Sequence, residues 1–426
     1  MSSGACAGRA KDVPGGPDGS GRCWPGPDNT GVPAGTTLTD YTGPESEPGV
    51  CTITTPNTTI DRKIVNCILV IRAANVTITN SKLNTRVLLD VDDPESRSWS
   101  LTIQDSEVDG GQKQLQAIGW GNLKVSRSTI HGGQNAVQCE KNSLSCLVED
   151  SYLHGQYIPP DADWHLDGFL SDGGQNMTLR HNYVVCDPPV NSVGGGCTAD
   201  IAFNPDFAPI NGALVERNLL GASPSSAYCT YGGEKPSSPT PHSFNVVYRD
   251  NVFQRGPSGK CGVQGPATEF LLANTGNVWT CNTWDTGGLV DPPPPNPRGS
   301  RETCDIDRDG LTDVAELRRY HTDPRWQDSD GDGLTDGSEV TRYHTSPRRN
   351  DTDRDGLSDI LEIRRYHTDP RKRDTDGDGL TDAAEIRKYH TSPRKRDTDG
   401  DGSPDRVEIR AGTNPLSRRS TPGRNG

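Results

Sequence analysis

The chain of 426 residues carries five copies of one acidic loop near its end, spaced 23 residues apart. They begin at Asp305, Asp328, Asp351, Asp374 and Asp397. The fourth reads Asp374-Thr375-Asp376-Gly377-Asp378-Gly379-Leu380-Thr381-Asp382, then Glu385. Every copy sets carboxylates at positions 1, 3, 5, 9 and 12 and a glycine at position 6. A merely solvated acidic linker needs no Gly and Glu at fixed offsets, so the pattern reads as a ligand set.

The spacing is that of an EF-hand calcium loop, in which Gly makes the sharp turn, a backbone carbonyl serves at position 7 and Glu closes the shell. The candidate calcium ligands are Asp305, Asp307, Asp309, Asp313 and Glu316 in the first loop and Asp328, Asp330, Asp332, Asp336 and Glu339 in the second. Asp351, Asp353, Asp355, Asp359 and Glu362 form the third set, and Asp374, Asp376, Asp378, Asp382 and Glu385 the fourth. Asp397, Asp399, Asp401, Asp405 and Glu408 form the fifth. Only about eleven residues separate successive loops, too few for two flanking helices. One short helix is expected after each Glu, stopped at His321, His344, His367 or His390 and turned by the Pro that follows. Position 7 is Leu in four copies, and position 8 is Thr or Ser where an EF-hand carries an aliphatic residue. The array therefore resembles thrombospondin type 3 or bacterial DxDxDG repeats, in which the Leu packs one unit on the next. Ser403-Pro404 in the last copy suits a terminal cap.

Twelve cysteines, an even number, point to disulfides and an oxidising compartment. The net charge of -14 argues against nucleic acid as a partner; five calcium ions would offset about +10 of it. No apolar run is long enough to span a membrane. The reading is of a bacterial protein that is secreted or attached to the cell surface. Residues 1–22 read as a disordered leader, yet Ser3-Gly4-Ala5-Cys6 resembles the end of a lipoprotein lipobox. With a start upstream, that would put a lipid anchor on Cys6.

Residues 23–290 hold a weaker repeat of eight β-rich segments: 76–83, 101–108, 123–130, 146–153, 177–184, 213–220, 246–253 and 277–284. Their period and their recurring Ser or Asn suggest coils of a parallel β-helix with polar ladders at the turns. A β-sandwich would instead want hairpin turns every 8–12 residues or so. The pattern resembles the right-handed parallel β-helix of pectate-lyase-like proteins. Cys23-Trp24-Pro25 and Asn29-Thr30-Gly31-Val32-Pro33 resemble the opening of secreted actinobacterial β-helix proteins. The fold class is thus all-β, a right-handed parallel β-helix followed by a small calcium-binding loop-helix array. The Pro-rich stretch 291–304 is the linker, 305–416 the array and 417–426 a disordered tail.

Stacking the coils aligns Asp109, His131 and His154 in one column, each followed by Gly. Gln116, Asn135 and Asp167 align in a second column, expected to face outward with His165 two residues before Asp167. Trp164-His165-Leu166-Asp167-Gly168 resembles the H-x-D-G of carbohydrate-acting β-helix proteins. A groove of His131, His154, His165 and Asp167 could carry acid–base chemistry on an acidic polysaccharide by β-elimination. Asp109, Gln116 and Asn135 are the candidate substrate-binding residues. Asp172 and Asp200 are the nearby carboxylates a hydrolytic pair would need. The competing reading is a non-catalytic, calcium-stiffened adhesin or glycan-binding protein. Expected disulfides are Cys51–Cys67, Cys139–Cys146, Cys186–Cys197 and Cys229–Cys261. The 23-residue histidines read as helix caps, and basic clusters such as Arg371-Lys372-Arg373 and Arg394-Lys395-Arg396 as charge balance within the array.

Overall fold

The computed structural model describes residues 6, 8–89, 93–140, 143–234, 242–273, 275–294, 296 and 304–423. The chain divides into two compact units, Met1–Arg301 and Glu302–Gly426. The lipobox residues Ser3 to Ala5 and part of the Pro-rich linker lie outside the described residues, as does the end of the tail.

The first unit is a parallel β-helix. Three sheets of ten, nine and ten strands run its length, each adding one strand per coil. We call them sheets A, B and C: one middle coil contributes Asn122–Ser126 to B, Thr129–His131 to A and Asn135–Cys139 to C. The eight segments read from the sequence stack in register on sheet B. Val76 faces Leu101, which faces Leu123, then Cys146, Met177, Ala213 and Val246 in turn. Alternate residues of each strand point inward, so Ile103, Val125, Val148, Leu179 and Val215 are fully buried. Stacking hydrocarbon on hydrocarbon in this way contributes roughly 1.5–3 kcal/mol per buried Leu, Ile or Val side chain.

The B-to-A corner explains the recurring Ser and Asn. Asn80, Asp105, Arg127, Asp150, His181, Arg217, Asp250 and Cys281 all take left-handed backbone there, with φ from 47 to 56°. The residue after each is buried: Ser81, Ser106, Ser128, Ser151, Asn182, Asn218, Asn251 and Asn282. Ser81 N–H donates to Ser106 Oγ at 3.1 Å, Ser106 N–H to Ser128 Oγ at 3.2 Å, and Ser151 N–H to Asn182 Oδ1 at 3.0 Å. Asn182, Asn218 and Asn251 continue the chain through both backbone N–H and Nδ2. A corner that turns away from the sheets leaves backbone donors inside, and this ladder satisfies them.

All four expected disulfides are present, with Cα–Cα separations of 5.7 Å (Cys51–Cys67), 6.5 Å (Cys139–Cys146), 5.7 Å (Cys186–Cys197) and 5.9 Å (Cys229–Cys261). Cys6 pairs with Cys23, and no cysteine is free. With its sulfur in this disulfide, Cys6 gives no support to the lipid-anchor reading. Residues 8–22, read as disordered, are tied down instead. Trp24 is buried against Tyr183, Val185, Leu219 and Val252 on the outer face of sheet A, and its indole N–H donates to Asp12 at 3.0 Å.

In the second unit each of the first four acidic loops leads into a short helix whose first turn is α and whose second widens to i→i+5 bonding, and the fifth leads into an α-helix, Asp405–Ala411. Asp336–Ser338 followed by Glu339–Tyr343 is one such helix, and Asp359–Leu361 followed by Glu362–Tyr366 the next. Position 8 is the N-cap: Thr335 Oγ1 accepts from Ser338 N–H at 3.2 Å, and Thr312 and Thr381 do the same in their repeats. That accounts for Thr at this position in three copies; Ser358 is the N-cap of its helix without a side-chain bond, and Pro404 holds the place in the fifth. His321, His344, His367 and His390 end these helices in left-handed backbone with φ of 58 or 59°. His344 Nδ1 lies 3.1 Å from the Val340 carbonyl, in keeping with the capping reading. No helix among the described residues is long and apolar enough to cross a membrane.

Candidate calcium centres and the histidine column

The first four loops share one wiring, best seen in the second, and the fifth differs in leaving both Glu408 oxygens unpartnered. Asp328 accepts from Gly331 and Gly333 N–H at 2.7 and 2.9 Å, which fixes the turn. Asp330 Oδ1 accepts from Asp332 N–H, and Asp332 Oδ1 from Leu334 N–H. Thr345 Oγ1 donates to Glu339 Oε1 at 3.0 Å. Asp330 Oδ2 and Glu339 Oε2 are buried and have no partner. The same two positions leave orphaned oxygens at Asp307 and Glu316, Asp353 and Glu362, Asp376 and Glu385, and Asp399 and Glu408. A buried carboxylate oxygen without a donor costs free energy unless a cation meets it.

In four loops the carboxylates at positions 1, 3 and 5 bring one oxygen each within 4.8 Å of the others: Asp305/Asp307/Asp309, Asp328/Asp330/Asp332, Asp351/Asp353/Asp355 and Asp374/Asp376/Asp378. Oxygens 2.3–2.6 Å or so from a shared calcium ion fall within that spread. The electrostatics agree. Burial first, then neighbouring carboxylates, push Glu339 up to about 9 and Asp307 to about 9. Burial raises Glu362 to about 8, with Asp353 and Asp355 adding to it against the opposing bond from Thr368. The donor set is all oxygen and anionic, which suits a hard divalent cation.

Position 9 differs from the expectation. Asp336 gives one oxygen to Ser329 N–H and the other to Ser329 Oγ, and Asp359, Asp382 and Asp405 bind Thr352, Thr375 and Thr398 alike. These carboxylates brace the loop from behind. Sequence reasoning missed two supporting positions, the Ser or Thr at position 2 and the Thr six residues after Glu. Both recur every 23 residues in most copies, so the signal was present. It also missed a cross-repeat contact. The position-5 Asp reaches the next helix's N-terminus, with Asp309, Asp355 and Asp378 accepting from Gly337, Ala383 and Arg406 N–H.

On the β-helix, the first column forms as expected. Asp109 pairs with His131 in register, and the rings of His131 and His154 stand 5.5 Å apart. Glu107, not singled out from the sequence, joins them: its carboxylate lies 3.2 Å from His131 Nε2 and 3.0 Å from Lys82. The His131 bond foremost, with help from Lys82, holds Glu107 down to about 2. Burial, then His131, lowers His154 to about 4, so it is neutral at ordinary pH. Tyr152 stacks on His154 at 3.9 Å.

The second column does not face outward. Gln116, Asn135 and Asp167 are buried, and Asn135 Oδ1 accepts from Asp167 N–H at 2.9 Å while Asp167 Oδ1 accepts from Ala199 N–H at 3.0 Å. Asn135 and Asp167 form another interior ladder. Burial pushes Asp167 up to about 8. His165, the first residue of its strand, is exposed while Asp167 is buried, at a point where the next strand carries one extra residue, Thr198. His165 and Asp167 therefore do not share a face. Asp200 is also interior, whereas Asp172 sits at the end of sheet C near Glu140 and Asp206, raised to about 7 mainly by burial.

The His131/His154 column is covered by the chain itself. Pro27, Thr30, Gly31 and Val32 close one side of a cavity of about 360 Å³ whose other side is Glu107, Thr129, His131 and His154. Thr30 Oγ1 bonds Thr129 Oγ1 at 2.7 Å, and Gly31 N–H donates to the Arg127 carbonyl at 3.1 Å. Deeper along the same segment, His181 is buried between Asp150 at 2.6 Å and Asp18 at 3.3 Å, under the ring of Trp24.

Comparison with known families matches the chain to the bacterial TSP3 repeat over residues 328–347, 351–372, 374–393 and 397–417. These four stretches are the second to fifth loops with their helices, and such repeats are of the calcium-binding type. Comparisons with curated proteins and with solved structures find no match.

Proposed function

We propose that this is an extracellular bacterial protein in which a disulfide-stapled β-helix is joined to a calcium-stiffened array, and that it holds an acidic polysaccharide without cleaving it. The observation that carries the calcium reading is the pair of orphaned, buried carboxylate oxygens repeated through five loops. The binding reading gains over the lyase reading from the geometry of the expected catalytic set. His131 and His154 lie under residues 27–32, Asp167 is interior, and His165 projects from sheet C. A β-elimination needs base, acid and carboxylate-holding groups around one sugar ring.

The test is to incubate the calcium-loaded full chain with a panel of uronate polymers, following retention of the protein and the ultraviolet absorbance of an unsaturated product. Retention without absorbance change is expected. A rise in absorbance that His154→Ala abolishes would restore the lyase.

A further inference from the structure

The array keeps its two charges apart. Residues 302–426 hold 28 Asp and Glu against 23 Lys and Arg. The acidic side chains of the loops turn inward on the orphaned oxygens described above, while the basic ones recur outside at the 23-residue period. Arg348 and Arg349 precede the third loop, Arg371-Lys372-Arg373 the fourth and Arg394-Lys395-Arg396 the fifth, and all eight are exposed. The sequence reading of these clusters was charge balance with the loops. The structure does not support it: among the described residues, no ion pair joins Arg348, Arg349, Arg371, Arg394, Lys395 or Arg396 to a carboxylate. Lys372 pairs with Asp369 at 3.1 Å, and Arg373 donates to the Arg354 carbonyl at 2.7 Å.

A cavity of the second unit, about 910 Å³ and open to solvent, lies where these cations begin. Arg348, Arg349, Arg354 and His321 line it beside the Trp326 ring. Cationic side chains around an aromatic face suit a ring-bearing anion. The same rim carries Asp330 and Asp351 of the second and third loops. Their negative charge opposes an anion until a cation neutralises it.

We propose that calcium converts the array from a net acidic to a net basic surface, and that the ladder of Arg348, Arg349, Arg371, Arg394, Lys395 and Arg396 then binds a linear acidic polysaccharide. The counts above give the metal-free unit an excess of acid, and five divalent ions would move it by about +10, past neutrality. Cations at a fixed interval along a repeat array meet a polymer that carries anions at a fixed interval, so many weak contacts act together. The disulfides speak for an oxidising exterior, and a linear acidic polysaccharide carries its anions at a regular spacing there. The proposal rests on the calcium reading above and adds to it the binding face and its control.

The experiment uses the full chain and immobilised hyaluronan, with neutral dextran and duplex DNA as comparison probes. Calorimetric calcium titration runs on the same samples. Retention on hyaluronan in calcium is expected to fall on the order of tenfold or more with chelator, and to weaken steeply with salt. The variant R348Q/R349Q/R371Q/R394Q/K395Q/R396Q is expected to keep the wild-type calcium stoichiometry and lose the retention. Normal calcium binding with retention that ignores chelator, or that survives in this variant, overturns the proposal alone. Equal retention on duplex DNA overturns the choice of polysaccharide. Failure of the wild type to bind calcium overturns the underlying reading, and this inference with it.

Discussion

The two units solve the same problem with opposite materials. The β-helix fills its interior with Ile, Leu, Val and Phe stacked coil on coil and satisfies its corners with Ser and Asn. The array places Asp307, Glu316, Glu339, Glu362, Glu385 and Glu408 at fully buried positions with an oxygen unpartnered, and Leu311, Leu334 and Leu357 are its main apolar contribution. Interior hydrocarbon favours folding without help, whereas interior carboxylate opposes it until a cation arrives. One chain thus holds a unit that folds by excluding water and a unit that folds by binding an ion.

The sharpest way to break that contrast is chelation. Hydrogen exchange on the full chain with and without calcium should show residues 304–423 losing most of their protection, while strands from 59 to 284 keep theirs. Equal loss in both units, or in neither, would end the comparison. Reduction should act in reverse. Each bridge of the β-helix is worth about 2–4 kcal/mol, so thermal unfolding of that unit should move down sharply while the calcium titration is unchanged. An unmoved melting temperature would mean that the stacked core suffices alone.

A smaller effect tests the ladder. Asn218→Ala leaves the backbone N–H of Asn182 without its acceptor and removes the Asn218 Nδ2 bond to Asn251 Oδ1, and should cost about 1–3 kcal/mol, measured by denaturant unfolding of the β-helix. No loss would mean that water replaces the amide. The smallest effect concerns residues 12–32. Burial raises Asp18 and Asp150, but hydrogen bonds and charge from His181 outweigh it and leave both below the ordinary carboxylate range. A lowered folded value makes their contribution present above the ordinary carboxylate pKa and lost as pH falls through the lowered one. Pepsin should therefore cut this segment faster at about pH 2 than at about pH 4, relative to an unfolded control substrate. An unchanged ratio would remove His181 as its anchor.

Much of this was legible in the residues. Strict recurrence exposed the loops, and the Ser/Asn at one place in each coil exposed the register of sheet B, because both are local patterns repeated. What escaped was whatever depended on a single departure from pattern. His165 at the start of its strand is exposed and Asp167 buried, beside a register shift with the next strand, and no periodicity announces a departure of that kind. Gln116 and Asn135 looked like groove residues because polar side chains seldom fill a core; here Asn135 Oδ1 bonds the backbone of the next coil. The covering of His131 and His154 came from residues about a hundred positions away, through Thr30, Gly31 and Val32, which local reading left in an opening motif.

The central claim is that the buried carboxylates of the array are a set of cation sites. Calorimetric titration of the full chain with calcium measures it directly, beside the variant Glu385→Gln. The account predicts about five ions per chain, with one site weakened in the variant and the others retained. A stoichiometry of one or none, or circular dichroism that calcium and chelator leave unchanged, would contradict it.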